Sequence, residues 1–358
     1  MPHFPFGSGS SSPFQVGRIL GRGFALLAAL LGALTVSAAT GPQPLRLEWR
    51  ESTPTPEPRG GYAAGTLDGR LIIIGGSYWE GQKGDWRMKH FTSAVHAFEP
   101  KSERWEKLPD APVTVCYAGY ARVGDEIHVL GGLQNGVASA DTWILRRGGA
   151  GFEWRRGRPL PEPRLFPAVA VIGSTIYVIG GTREFEPFDA KGSCCTSQSA
   201  RNTVWRADLS APQSGWVELE PYPAAARWAH RAIADGGVIY VFGGFYQATA
   251  KDAAVSYDEV LRFDPAAKTW TRVGDMPPGL QVCGLVRAKG QILLIGANRL
   301  AMRFNPADGT FSAIPALPRD ANVDHFAWIE PYVVGASGEN KEDGPRRRSE
   351  WTFVGRLE

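Results

Sequence analysis

A double glycine closing a short apolar run recurs along this chain of 358 residues, and no other feature restricts its fold so tightly. The copies read "LIIIGG" at Gly75-Gly76, "IHVLGG" at Gly131-Gly132, "IYVIGG" at Gly180-Gly181 and "IYVFGG" at Gly243-Gly244. Degenerate copies follow as "LLIGA" at Gly296-Ala297 and "YVVGA" at Gly335-Ala336. Each copy is preceded by a strand of small residues, such as "GYAAGTLDG", and followed by a third strand such as "VHAFEP" or "VLRFDP". A fourth strand carries an aromatic anchor: Trp105, Trp154, Trp216, Trp270 and Phe311. Each unit is therefore a four-stranded antiparallel meander with tight turns such as Asp68-Gly69. One such sheet cannot cover both of its faces alone, so the units are expected to pack radially around an axis as a β-propeller. The composition agrees, since 43 Gly, 27 Pro and 12 Trp suit many turns and many aromatic anchors.

The recurrence at about 50 residues, with its glycine pair, branched or aromatic third strand and later Trp, resembles the kelch family across residues 45–358. The resemblance implies an all-β, six-bladed kelch β-propeller. The blades are expected near 60–110, 113–161, 164–223, 227–277, 279–318 and 320–358. The sixth copy ends at "EWTFVGRLE" without a fourth-strand aromatic, whereas "LRLEWRE", with Trp49, has no glycine pair before it. Strand 45–51 is therefore expected to complete the C-terminal blade and close the ring, since the alternative leaves an unpaired sheet edge.

Residues 1–38 follow another pattern. Arg18 and Arg22 precede the apolar run Phe24 to Val36, and "TVSAATG" supplies small residues at a cleavage site. This predicts a secretory signal peptide cut after Ala38 or Ala39, with 39–358 exported to the periplasm or secreted. The run is too short to span a bilayer. The whole chain carries a net charge of +3, and removing Arg18 and Arg22 brings it closer to neutral. Neither nucleic acid nor a membrane surface is an expected partner. Four cysteines, Cys116, Cys194, Cys195 and Cys283, leave open a vicinal bridge, pairing to Cys116 or Cys283, or free thiols. No His/Cys spacing suggests zinc, and neither a metal nor a cofactor is expected.

In a meander, the loops between strands 2 and 3 share one face of the disc with the entry to each innermost strand. On this face the insertions at 77–92, 182–200 and 245–257 are long and that at 337–348 is shorter, and Tyr78, Trp79, Glu80 and Tyr246 lie in them as candidate ligand contacts. Arg59, Arg164 and Arg227 each stand 16 residues before the first glycine of their blade's pair, and Arg319 has the same offset from Gly335. Such arginines can bind a carboxylate at the channel mouth or brace the blades. His230 and His325, the latter beside Asp324, fall in innermost strands and are candidate acid–base or hydrogen-bonding groups.

Among kelch propellers with a signal peptide, the chain is similar to the bacterial N-acetylneuraminate epimerase (sialic acid mutarotase) type. That resemblance implies an isomerase of an acidic sugar, using a Glu and an Arg placed after a blade's glycine. "GENKEDGPRRR" supplies Glu339 and Arg346, although in a different blade and at a different spacing, and "GANRLAMRF" in blade five lacks such a Glu. Glu339, Arg346 and His325 are thus the expected catalytic set, with an acidic or neutral sugar as ligand. The competing expectation is a non-catalytic kelch module that binds a glycan, peptide or protein partner.

Overall fold

A computed structural model describes residues 45–79, 89–149, 151–185, 196–211, 213–249, 251–281, 283–342 and 347–358. The expected signal peptide, Glu80, Cys194, Cys195 and Arg346 lie outside the described residues. Among the described residues there is no helix, and the strands form six four-stranded antiparallel sheets, the blades of a β-propeller. Their first strands are Ala63–Leu67, Gly119–Val123, Ala168–Ile172, Arg231–Asp235, Cys283–Ala288 and Phe326–Ile329. Five blades are built from consecutive strands. Blade six combines Phe326–Ile329, Tyr332–Ala336 and Thr352–Leu357 with Leu47–Glu51, which pairs from Leu47↔Leu357 to Glu51↔Phe353.

Second strands rich in Ile, Val and Leu are buried on both faces because each sheet lies between two others. Ile72, Ile74, Val95 and Ala97 of blade one pack on Ile127, Val129 and Leu145 of blade two. Tyr62, Leu71, Ile73 and Phe98 from the same blade meet Val334, Ala336 and Val354 of blade six. Each fully buried side chain of this size contributes roughly 1.5–3 kcal/mol. Four of the five fourth-strand tryptophans, all but Trp270, tie neighbours together through one repeated bond. Trp154, Trp216 and Trp49 donate Nε1–H to the carbonyls of Pro109, Pro159 and Pro315, each in the link leaving the preceding blade. Trp105 does the same to Thr53, just beyond the strand that completes blade six.

The glycine pairs are required by close backbone approach. Gly75 and Gly76 have φ of 63° and 107°, and a Cβ on Gly75 would lie 2.3 Å from the Val115 carbonyl of the next blade. The Gly76 N–H donates to that carbonyl at 2.7 Å, and Gly132, Gly181 and Gly244 repeat the bond to Arg164, Arg227 and Gln281.

Blade six makes the same joint two residues later than its sequence suggests. Gly335 and Ala336 remain inside the second strand, and the left-handed pair is Ser337 and Gly338, at φ 63° and 92°. Gly338 N–H donates to Arg59 O at 2.8 Å, as the second glycine does elsewhere. The offset that pointed to Arg319 therefore counts from the wrong residue, and the matching position is the buried Ala321. Cys116 and Cys283 are both buried free thiols, which removes them from the pairing alternatives.

Candidate functional site

The six innermost strands surround a central cavity of about 290 Å³. Its mouth opens on the face carrying the 2–3 connections, where Gly61, Tyr117, Phe166, His230 and Asp324 line it. Gly61, Tyr117, Phe166 and Ala229 occupy one register in blades one to four, and all four are left-handed, with φ between 47° and 66°. Their backbones join hand to hand around the mouth. Tyr117 N–H donates to Gly61 O at 2.7 Å, Phe166 to Tyr117 O at 2.7 Å, and Ala229 to Phe166 O at 3.2 Å.

Side chains continue this seam where the repeat is eroded. Asp324 of blade six accepts from Gly61 N–H through Oδ2 at 2.7 Å. Arg231 of blade four reaches blade five through Nε–H to Cys283 O at 2.9 Å, and its Nη2 lies 3.5 Å from Asp324 O. Burial pushes the Asp324 carboxyl up, while the charges of Arg231 and Arg348 oppose that shift. Burial and then Arg231 push His325 down to about 4, and its ring meets Tyr120 edge-on at 5.4 Å. His230 is held neutral more firmly. Burial and then Arg227 lower it to about 3, Nε2 lies 2.8 Å from Ile179 O, and Nδ1 has no partner among the described residues.

Arg59, Arg164 and Arg227 are absent from the cavity wall. Each is fully buried and donates Nη1 to the carbonyl of its own blade's first glycine, Gly75 at 3.1 Å, Gly180 at 3.0 Å and Gly243 at 3.3 Å. Each also pairs with a carboxylate, Glu57, Glu162 and Glu259 respectively. Arg164 lies over Trp205 and Arg227 over Tyr257, at 4.1 and 3.7 Å from the ring centres. These guanidiniums satisfy the carbonyls that the left-handed turns leave inside the protein, so the ring of carboxylate-binding arginines expected at the mouth does not form. Arg319 is exposed and pairs with Glu51 and Glu342.

In blades one, two, four and six the 2–3 connections form small hairpins on the rim. Ser77–Trp79 pairs with Lys89–Phe91, Leu133–Gln134 with Val137–Ala138, Phe245–Tyr246 with Val255–Ser256, and Glu339–Asn340 with Arg347–Arg348. Tyr78 is exposed and stacks on His90, whereas Trp79 turns inward beneath Lys89 and Arg348. Tyr246 packs against Trp228, and Glu339 pairs with Lys341 and Arg348. His325 and Glu339 thus belong to different settings, one in the channel and one in a rim hairpin.

Sequence reasoning missed Arg231, Tyr62 and Tyr120 as channel residues. Arg231 had a usable signal, because it opens an innermost strand where the first three blades carry Ala63, Gly119 and Ala168.

Comparison with known proteins agrees with this geometry. The kelch motif matches residues 58–112 and 229–277, which cover blade one and blade four. The chain carries kelch repeats. It is similar to the Kelch-like protein terF of Aspergillus terreus, at 25% identity over 80% of this chain and 60% of that protein. The human Kelch-like protein 34 is 25% identical over 69% of this chain and 36% of its own length. The chain therefore spans less than two-thirds of the length of these relatives. A third of the chain is 31% identical to the N-acetylneuraminate epimerase of Yersinia enterocolitica, covering 30% of that enzyme. The expected export to the periplasm or the exterior is corrected by these relatives. Those that span most of the chain are Kelch-like proteins of eukaryotes, which conflicts with that expectation.

Proposed function

We propose that the protein is a non-catalytic recognition module that holds a protein or peptide partner on its hairpin rim. The observation that carries this reading is the placement of exposed apolar side chains. Tyr78, Val137 and Val255 are 37%, 67% and 46% exposed, and they stand on the 2–3 hairpins of blades one, two and four. Rigid blades fix their spacing, which limits the ordering cost of binding. Likeness to Kelch-like proteins supports the same reading.

Selection of a random displayed peptide library on the protein tests it. Selected peptides are expected to lose about tenfold or more in affinity for a Tyr78→Ser, Val137→Asp, Val255→Asp variant. They should keep their affinity for Val217→Asp, which alters an exposed residue on the outer strand Val217–Leu219 of blade three. Equal loss on both variants, or none on the first, sinks the rim as the binding surface.

A second reading, an isomerase of an acidic sugar such as N-acetylneuraminate, is favoured by the similarity to the Yersinia epimerase over a third of the chain. NMR exchange between N-acetylneuraminate anomers separates the two. No acceleration by micromolar protein is expected of a binding module, and acceleration would establish the isomerase.

A further inference from the structure

The channel mouth has two unlike halves. On one side, Tyr117 stacks on Phe166 with ring centres 4.3 Å apart, and Phe185 lies 5.7 Å from Phe166 and 6.2 Å from Trp228. This aromatic arc crosses blades two to four. Tyr117 and Phe166 both line the cavity, and both hold left-handed backbones, at φ 59° and 47°. The same register in blade one carries Gly61, which adopts that conformation freely. Aromatic residues at left-handed positions are strained outliers, and such strain concentrates where a side chain serves a ligand.

The other side carries Arg231. Three guanidiniums line the cavity, and two of them hold carboxylates, Arg122 with Asp125 and Arg287 with Asp235. Arg231 makes no carboxylate pair; its Nε–H goes to Cys283 O, its Nη2 to Asp324 O, and Nη1 has no acceptor among the described residues. A half-buried guanidinium that lines a cavity with a donor unused favours an oxyanion. The Asp324 carboxylate shares the wall, but its Oδ2 is taken by Gly61 N–H, and burial favours its protonated form.

The geometry points to the channel mouth as a binding site for an aromatic carboxylate, its ring against Tyr117 and Phe166 and its oxyanion on Arg231. The cavity of about 290 Å³ admits one ring and its acid group. A free aryl acid and the terminal carboxylate of a chain ending in an aromatic residue share this chemistry. The inference deepens the recognition role proposed above and rests on it for the choice of face.

Calorimetric titration of the full chain with N-acetylphenylalanine, its carboxamide and N-acetylalanine tests the site. The acid should bind at least about tenfold more tightly than either analogue, the difference expected when one charged hydrogen bond or the stacked ring is lost. Arg231→Met should abolish the difference between acid and amide. Phe166→Gly, which suits the left-handed backbone and folds without strain, should weaken acid and amide alike. A tetrapeptide ending in phenylalanine that binds more tightly than N-acetylphenylalanine identifies a chain terminus as the source, and equal binding identifies a free acid. Equal affinity for acid and amide in the unaltered protein overturns the proposal. So does an acid preference that survives Arg231→Met, or binding indifferent to Phe166→Gly. If Arg231→Met does not fold, the acid–amide comparison and Phe166→Gly decide alone. Because these probes need no partner, failure of the rim reading leaves this result standing, and the reverse also holds.

Discussion

Arg164→Ala is expected to lower the unfolding free energy by about 3–5 kcal/mol, the range for breaking a buried charge pair by removing one partner. Arg164 is completely buried, and desolvation pushes its guanidinium down to about 10. Removing it strands two acceptors, the Gly180 carbonyl and Thr203 Oγ1, and takes one of three arginine partners from Glu162. It also leaves a void beside Trp205, over whose ring the guanidinium lies. Urea denaturation of the two proteins reads the difference directly. A loss below about 1 kcal/mol would be a surface-residue effect and would sink the bracing role. Arg319→Ala is the natural comparison, because that side chain is 46% exposed and its pairs with Glu51 and Glu342 are open to solvent. Its cost is expected to stay within about 1 kcal/mol.

Acid should weaken the fold well before the carboxylates titrate. His325 is lowered to about 4 by burial and by Arg231, and His230 to about 3 by burial and by Arg227. Between pH 6.5 and these values the unfolded chain binds protons that the folded protein refuses, so stability falls as pH falls. Each histidine is expected to remove about 2 kcal/mol between pH 8 and pH 5. Asp324, whose carboxyl burial holds above the usual range, acts in the opposite direction. Denaturation midpoints across this range measure the slope, and His325→Phe should remove roughly half of the two-histidine effect. A stability profile flat from pH 8 to pH 5 would show that the channel solvates both rings.

The parts of the fold that could be read from residues alone were those for which the backbone leaves one solution. Gly75, Gly131, Gly180 and Gly243 had to be glycine, because each first position is left-handed and pressed against the next blade. Trp49 could be placed for a similar reason, since only one blade lacked its aromatic anchor. Blade six shows where this legibility stops. Ser337 takes the left-handed position, and its hydroxyl accepts from Arg59 N–H at 2.6 Å and donates to Arg59 O at 2.7 Å. A side chain thereby does locally what a glycine does elsewhere, while Gly335 lies in the strand as a decoy. The two-residue slip then carried Arg319 into a role that belongs to no arginine of that blade.

The site was harder to read because its residues stand just before strands, where alternation gives no rule for direction. Arg59, Arg164 and Arg227 lie in that zone and turn into the blade rather than toward the channel. Arg231, four residues past Arg227, sits within a strand among small neighbours and was the arginine whose direction could be argued. Tyr117 and Phe166 carried no pattern at all. Their left-handed backbones appear only when the mouth is built, as does the seam that Asp324 and Arg231 continue.

Blade six also imposes an order on biosynthesis. Its outer strand, Leu47–Glu51, leaves the ribosome ahead of every other described strand, and its partner Thr352–Leu357 leaves last. Through nearly all of translation the early strand has no edge to join, and the five finished blades form an open arc with apolar faces at both ends. The closing step is thus a long-range pairing made after the rest is in place, the slow kind of contact that leaves a chain exposed to aggregation. A chaperone that shields the two raw ends of the arc would act on this protein at that stage, and one that acts on single blades would have little left to do.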